Sequence, residues 1–234
     1  MRSMPAPAPA APAAHDDVWV VIPLFNEEAV IADIIADVRK SFLNVLCVDD
    51  GSRDRSATRA AGAGALVIQH AVNLGQGAAL QTGIRYVLER GARYIVTFDA
   101  DGQHQVVDAV SMVEVARKEN LAIIFGSRFL DARTHPGFLK QLVLRTAVWF
   151  TRKSTGLRLT DAHNGLRVIR ADAAASVDLN QDRMAHASEI VLQLGRTRLP
   201  WREYPVHVLY TEYSRGKGQS LWNSVNILID LMVH

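Results

Sequence analysis

The chain has 234 residues, a formal net charge of +2 and 49% hydrophobic side chains. That length suits one large domain with a sizeable core or two small ones, and the near balance of charge excludes nucleic acid as the main partner. The only cysteine, Cys47, excludes an intrachain disulfide and a Cys-x-x-Cys metal site and fits a reducing compartment; its flanks, Leu46 and Val48, mark it as a buried small hydrophobe.

Residues 1–17 are rich in Ala and Pro, lack an apolar stretch of signal-peptide length, and read as a disordered tail. A regular alternation starts at residue 18. The β-branched run VWVVIPL (18–24) predicts a buried strand. In 27–42, Val30, Ile31, Ile34, Ile35 and Val38 recur at helical spacing. Strands follow at 43–50, 65–69, 93–99 and 121–127, and helices at 55–64, 77–91 and 105–120, two of them stopped by glycine. Strands alternating with helices predict a mainly parallel sheet covered on both faces. Beyond residue 128 the alternation breaks into a helix near 137–156, a loop at 157–170, a helix near 186–196, a strand at 202–210, a basic loop at 214–220 and an apolar helix from 221. No apolar run approaches the roughly 18–20 residues of a membrane-spanning helix.

In open parallel sheets, ligands bind beyond the carboxyl ends of the strands. Here those ends are polar: Pro23, Asn26, Glu27 and Glu28 after the first strand, DDGSRDRS (49–56) after the second, NLGQGAALQTG (73–83) after the third, and DADGQ (99–103) after the fourth. The glycines do not follow a dinucleotide fingerprint, a phosphate-binding P-loop or a G-x-S-x-G nucleophile elbow. What remains is Asp99-x-Asp101, with Gln103 two residues on. Two like charges that close need a positive neighbour, and hard oxygen ligands suit Mg²⁺ or Mn²⁺ held jointly with a diphosphate. The competing assignment is two solvated aspartates capping the helix at 105.

The ordered motifs VVIPLFNEE, VDDGSRDRS, NLGQGAALQTGI and FDADGQH closely resemble family 2 glycosyltransferases of the GT-A fold, in the branch of dolichol- or polyprenyl-phosphate sugar synthases and bacterial polysaccharide enzymes. GSRF (126–129) and DAHNGLRVIR (161–170) extend the likeness. The resemblance implies an α/β GT-A (Rossmann-like) catalytic domain over 18–234, with a nucleotide-sugar-binding half at 18–128 and acceptor-side helices in 129–234. It implies an inverting, metal-dependent transfer from a GDP- or UDP-linked sugar to a polyprenyl phosphate or glycan, at the cytoplasmic face of a membrane. Pro23, Asn26 and Glu27 would border the nucleotide, Asp50 would bond the base or ribose, and Gly75 and Gly77 would admit it closely. Asp99 would face the ribose and diphosphate, and Asp101 would ligate Mg²⁺ or Mn²⁺ with Asp99 and Gln103. Arg128 would lie near the diphosphate or the sugar, and Arg215 and Lys217 would close over the leaving group. Glu189 would be the base for a hydroxyl acceptor or a structural residue. Asp161, Asn164 and Arg167 would shape the acceptor pocket, with Arg167 pairing either an acceptor phosphate or a neighbouring acid.

Two departures stand out: Gln76 replaces the lysine frequent in that branch, and no membrane helix follows the domain, which implies a peripheral enzyme or a separate small membrane partner. The amphipathic stretches 138–150 and 221–233 suit either the core or a membrane or partner surface. The eight histidines show no H-x-x-x-H or HExxH spacing and read as surface or packing residues, with His104 beside the acidic pair as the exception. The alternative function is a catalytically inactive nucleotide-sugar-binding partner subunit.

Overall fold

The computed structural model describes residues 15–130, 157–179 and 185–209. The tail up to residue 14, the stretches 138–150 and 221–233, and the basic loop with Arg215 and Lys217 lie outside the described residues. Residues 15–17, expected with the tail, are tied to the body: the amides of Arg93 and Tyr94 donate to the Asp17 carbonyl (2.9 and 3.2 Å), and Asn44 Nδ2 donates to that of Asp16 (2.7 Å).

The first half follows the predicted alternation: β1 (Val18–Leu24), α1 (Ile31–Val38), β2 (Asn44–Asp49), α2 (Ser56–Gly62), β3 (Leu66–Gln69), α3 (Gln76–Glu89), β4 (Tyr94–Thr97), α4 (Val106–Lys118) and β5 (Ile123–Ser127). Strands β1, β2, β4 and β5 are buried on both faces, as interior parallel strands are, whereas β3 at the sheet edge is partly exposed. On α1, Ile31, Ile35 and Val38 point into the core; each such side chain contributes about 1.5–3 kcal/mol. Helix α1 begins later than its apolar spacing predicts, because residues 27–30 form turns.

The stretch 157–170, predicted as loop, holds a further strand, β6 (Arg167–Arg170). It is followed by a short helix α5 (Ala171–Ala174), then α6 (Ala185–Arg196) and β7 (Trp201–Pro205). The seven strands lie in the order β3-β2-β1-β4-β6-β5-β7. Strand β6 is antiparallel to both β4 and β5, and Thr97 faces Arg167 across the ladder; the other pairings are parallel. One apolar cluster fills the face under α1, α2 and α4. A second fills the face under α3, α5 and α6. Helix α3 presses close on the sheet: a Cβ added at Gly83 would lie 2.4 Å from Val21 Cγ1.

The chain builds outward from β1 to β3, then α3 carries it back to β4 on the other side of β1. The strand order therefore reverses between β1 and β4. That is the switch point at which open α/β sheets leave a crevice beyond their strand ends.

Candidate active site

The loops after β1 and β2 are joined into one rim. The amide of Asn26 donates to Ser52 Oγ (2.9 Å), that of Glu27 to Ser56 Oγ (2.8 Å), and that of Arg53 back to Asn26 Oδ1 (2.9 Å). Asn26 adopts φ +54°, a left-handed conformation that asparagine tolerates. Between this rim and the loop after β3 lies an open cleft of about 760 Å³, lined among others by Phe25, Asp49, Ser52, Arg53, Gln69 and Asn73. Its size suits a nucleotide.

Asp50, expected at the base or ribose, is turned inward. It is 3% exposed. Its carboxylate accepts from the amides of Leu74 (2.9 Å) and Gly75 (2.8 Å), and His70 Nδ1 lies 2.8 Å away. In this structure Asp50 fixes the loop that opens α3, where Gly75 at φ +95° makes a turn that a side chain would strain. Its neighbour Asp49 is equally buried, at 2% exposed, but borders the cleft, and it accepts from the Ser52 amide (3.3 Å) and hydroxyl and from Gln69 Nε2 (3.2 Å). Gly77 is buried in the first turn of α3.

Asp99 and Asp101 follow β4 at the switch point. Neither caps α4: the residue before that helix is Gln105, and no side chain caps it. Asp99 Oδ1 accepts from Gln76 Nε2 (3.2 Å), and Oδ2 lies 2.9 Å from His104 Nε2. The backbone of Gly165 presses on the same carboxylate, so that a Cβ there would fall 2.0 Å from Oδ2. Thr97 Oγ1 donates to the Gly165 carbonyl (2.6 Å) and fixes that approach. Asp101 Oδ1 accepts from the Gln103 amide (3.0 Å).

The side chains beside Asp99 that favour its ionised form are His104, Arg167 and His186. Burial pushes the Asp99 carboxyl up, but the hydrogen bond and charge of His104, with Arg167 and His186 behind it, outweigh this and hold it below the usual carboxylate value. Asp101 shifts the other way, raised by burial and by the Asp99 charge, with Glu27 adding to the effect. Arg167 is 2% exposed, and burial pushes its guanidinium down to about 10.

Beyond β4, Arg128 closes its fork on Asp161 (Nε to Oδ2 2.7 Å, Nη2 to Oδ1 2.8 Å). Glu203 on β7 accepts from the amides of Thr160 (2.6 Å) and Asp161 (3.2 Å). The loop before β6 is thus anchored at both edges. Asp161 pairs with Arg128 rather than with Arg167. Glu189 lies on α6, where Gln193 Nε2 donates to it (3.3 Å); His186, one turn earlier, is the residue of that helix within electrostatic reach of Asp99.

Pro23, Asn26, Glu27, Gly75, Asp99, Asp101 and Gln103 therefore gather at the carboxyl edge around β1 and β4. Sequence reasoning passed over Asp49, Gln69, His186 and Gly165. The Asn-Gly pair at 164–165 was the available signal for the last, whereas His186 carries none. As a fit test for a divalent cation, Asp99 and Asp101 place two carboxylates on one turn, hard oxygen donors of the kind Mg²⁺ or Mn²⁺ takes, but no group of three or more acidic, histidine or cysteine side chains placed to hold a metal occurs among the described residues. No helix among the described residues is long and apolar enough to cross a membrane.

The model of glycosyl transferase family 2 matches residues 19–176. An uncharacterized protein of Methanocaldococcus jannaschii is 34% identical over 93% of this chain and 92% of its own length. The UDP-N-acetylglucosamine–dolichyl-phosphate N-acetylglucosaminyltransferase of Methanococcus voltae is 27% identical over 92% and 95%, and the undecaprenyl-phosphate mannosyltransferase of Micrococcus luteus 28% over 86% of each. Among solved structures, glucosyl-3-phosphoglycerate synthase of Mycobacterium tuberculosis, crystallised with Mn²⁺ and UDP-glucose, superposes with a TM-score of 0.69 at 18% identity, covering 94% of this chain and 79% of that one. The sheet order and this likeness make the fold GT-A. With strand ends, acidic pair and family model in agreement over the same residues, the chain belongs to glycosyl transferase family 2 and is a glycosyltransferase.

Proposed function

We propose that the protein transfers a sugar from a nucleotide-diphosphate donor to a polyprenyl phosphate, with inversion, using Mg²⁺ or Mn²⁺. The observation that carries this reading is the acidic pair at the switch point, one strand away from a nucleotide-sized cleft. Relatives of nearly equal length are named for transfer to dolichyl and undecaprenyl phosphate, which supports a lipid phosphate acceptor.

Pro23, Asn26 and Glu27 border the nucleotide, while Asp50 holds the loop that carries Gly75 and Gly77 beside it. Asp99 and Asp101, with Gln103 on the same turn, would hold the cation, which when bound neutralises charge on the departing diphosphate. Asp99 is pre-oriented by His104, Gln76 and Gly165, so little reorganisation accompanies the reaction. The acceptor oxygen forms a bond to the anomeric carbon as the bond to the diphosphate oxygen breaks. A phosphate acceptor is already ionised and needs no base. Were the acceptor a glycan hydroxyl, Glu189 would be the carboxylate to take its proton. Arg128 serves through Asp161, fixing the acceptor-side loop, and Arg215 and Lys217 would supply positive charge to the leaving group. A lipid acceptor brings the enzyme to the cytoplasmic membrane face.

The test is a thermal-shift panel of GDP- and UDP-sugars with and without Mn²⁺, followed by transfer of the radiolabelled donor to polyprenyl phosphate. We expect a metal-dependent shift and product, both lost in Asp101→Ala. Failure of every donor to bind or turn over under either metal, or metal-dependent binding untouched by Asp101→Ala, would overturn the reading.

A further inference from the structure

Asp99 and Asp101 share one turn, but they are held by different means. Asp99 is fixed by His104, Gln76 and the Gly165 backbone. Asp101 bonds only within its own turn, where Oδ1 accepts from the Gln103 amide and Gly102 at φ +74° bends the chain. Among the described residues, the hydrogen bond that ties residues 101–103 to a distant part of the chain runs through the backbone: the Leu209 amide donates to the Gln103 carbonyl (2.9 Å). Leu209 ends a segment, 206–209, that runs on from β7. Its other end is anchored on β5, where the Val206 amide donates to the Ser127 carbonyl (3.0 Å) and Val206 is 4% exposed.

Between these anchors, the start of α4 grips His207 by both backbone groups. The His207 amide donates to Asp108 Oδ2 (2.8 Å), and its carbonyl accepts from Gln105 Nε2 (3.3 Å). Gln105 therefore spends its side chain on this segment rather than on capping α4. Asp108 is 8% exposed. The first turn of a helix favours an acidic side chain, but that preference is met equally well at the surface. Burying the carboxyl is unfavourable unless it is hydrogen-bonded, and the bond it makes is to the segment that holds the turn. We propose that Asp108 is a positioning residue for sugar transfer: by clamping residues 206–209 against α4 it sets, through the bond from Leu209 to Gln103, where Asp101 stands relative to Asp99. The proposal rests on the glycosyltransferase reading above and goes beyond it by naming a residue that touches neither donor nor acceptor. A side chain that served the fold alone would lower the melting temperature and leave the site's affinities as they are.

The test compares full-length Asp108→Ala and Asp108→Asn with wild type. Asparagine keeps a side-chain oxygen for the His207 amide, and alanine does not. Calorimetric titration with GDP and UDP, with and without Mn²⁺, reads the site without turnover. Metal-free nucleotide affinity of Asp108→Ala should stay within about twofold of wild type, because the cleft lies on the far side of β1. Affinity in Mn²⁺ should fall about 10-fold and kcat about 10- to 100-fold, the scale expected when a reacting group moves by about 1 Å. Asp108→Asn should recover most of both losses. Wild-type values in a folded Asp108→Ala protein, equal losses with and without metal, or no recovery in Asp108→Asn overturn the proposal. If Asp108→Ala does not fold, Leu209→Pro deletes the donating amide and leaves the buried face of α4 intact; the same loss in Mn²⁺ supports the clamp, and wild-type affinity overturns it. Native-state hydrogen exchange separates this idea from the wider one. Even if no nucleotide binds, the Leu209 amide should exchange about 10-fold faster in Asp108→Ala, or in Leu209's place the His207 amide in Leu209→Pro, while β1 amides keep their protection. Unchanged exchange overturns the clamp.

Discussion

Replacing Gly165 by alanine isolates the contact that positions Asp99. The added Cβ would lie 2.0 Å from Asp99 Oδ2, 2.5 Å from Cγ and 2.6 Å from Oδ1, whereas ordinary contacts start at 3.4 Å. The carboxylate must therefore retreat by about 1.4 Å, the difference between 3.4 and 2.0 Å. The alternative, moving Gly165, meets the bond from Thr97 Oγ1 to its carbonyl (2.6 Å) and the β4–β6 ladder that begins two residues later. The side chain yields first, leaving its positions against Gln76 and His104. A displacement of about 1 Å at a reacting centre costs ~10²-fold in rate, and local overpacking costs about 1–3 kcal/mol in stability. The assay is initial-rate sugar transfer at saturating donor and Mn²⁺, beside a calorimetric melt. We expect kcat to fall about 100-fold while the melting temperature drops by only a few degrees, at about 2–4 °C per kcal/mol for a chain of this size. A folded Gly165→Ala enzyme with wild-type kcat would show that the placement of Asp99 is immaterial, and the reasoning would fail.

Gly83→Ala tests packing away from the chemistry: with Val21 Cγ1 at 2.4 Å, it should cost about 1–3 kcal/mol in a melt and leave nucleotide affinity intact. Cys47 is fully buried, and burial pushes its thiol up to about 12; it should resist a thiol reagent until denaturant is added. Burial would raise the Asp161 carboxyl, but the hydrogen bonds and charge of Arg128 outweigh this and hold it below its ordinary 3.8. A lowered acid pKa gives stability that is complete above the unfolded value and disappears as pH falls through the folded one. Denaturant titrations should accordingly show this contribution intact at pH 5–7 and declining below about pH 4, and Asp161→Asn should flatten that decline. The same variant should cost roughly 2–4 kcal/mol at neutral pH, since it leaves the Arg128 fork without its carboxylate.

Much of this protein was legible in its sequence because the signals are local. Strands β1 to β5 are short β-branched runs, and the helices between them repeat apolar residues at helical spacing, so the parallel layout followed from periodicity. The acidic pair was legible for the same reason: a buried strand that runs directly into Asp99 and Asp101 must present them at its end. Tertiary structure decided what depends on partners distant in the chain. Strand β6 has only four residues, begins and ends with arginine, and reads as loop; it becomes a strand because β4 and β5 offer it backbone partners on both sides. Asp49 and Asp50 carry the same side chain and are both buried, yet Asp50 takes the amides of Leu74 and Gly75 while Asp49 borders the cleft. The side chains that hold Asp99 ionised come from residues 104, 167 and 186, and no spacing rule joins them. Chain order fixes which backbone can pair with its immediate neighbours, but charge is balanced in space, and that balance appears only once the sheet brings β4 and β6 side by side.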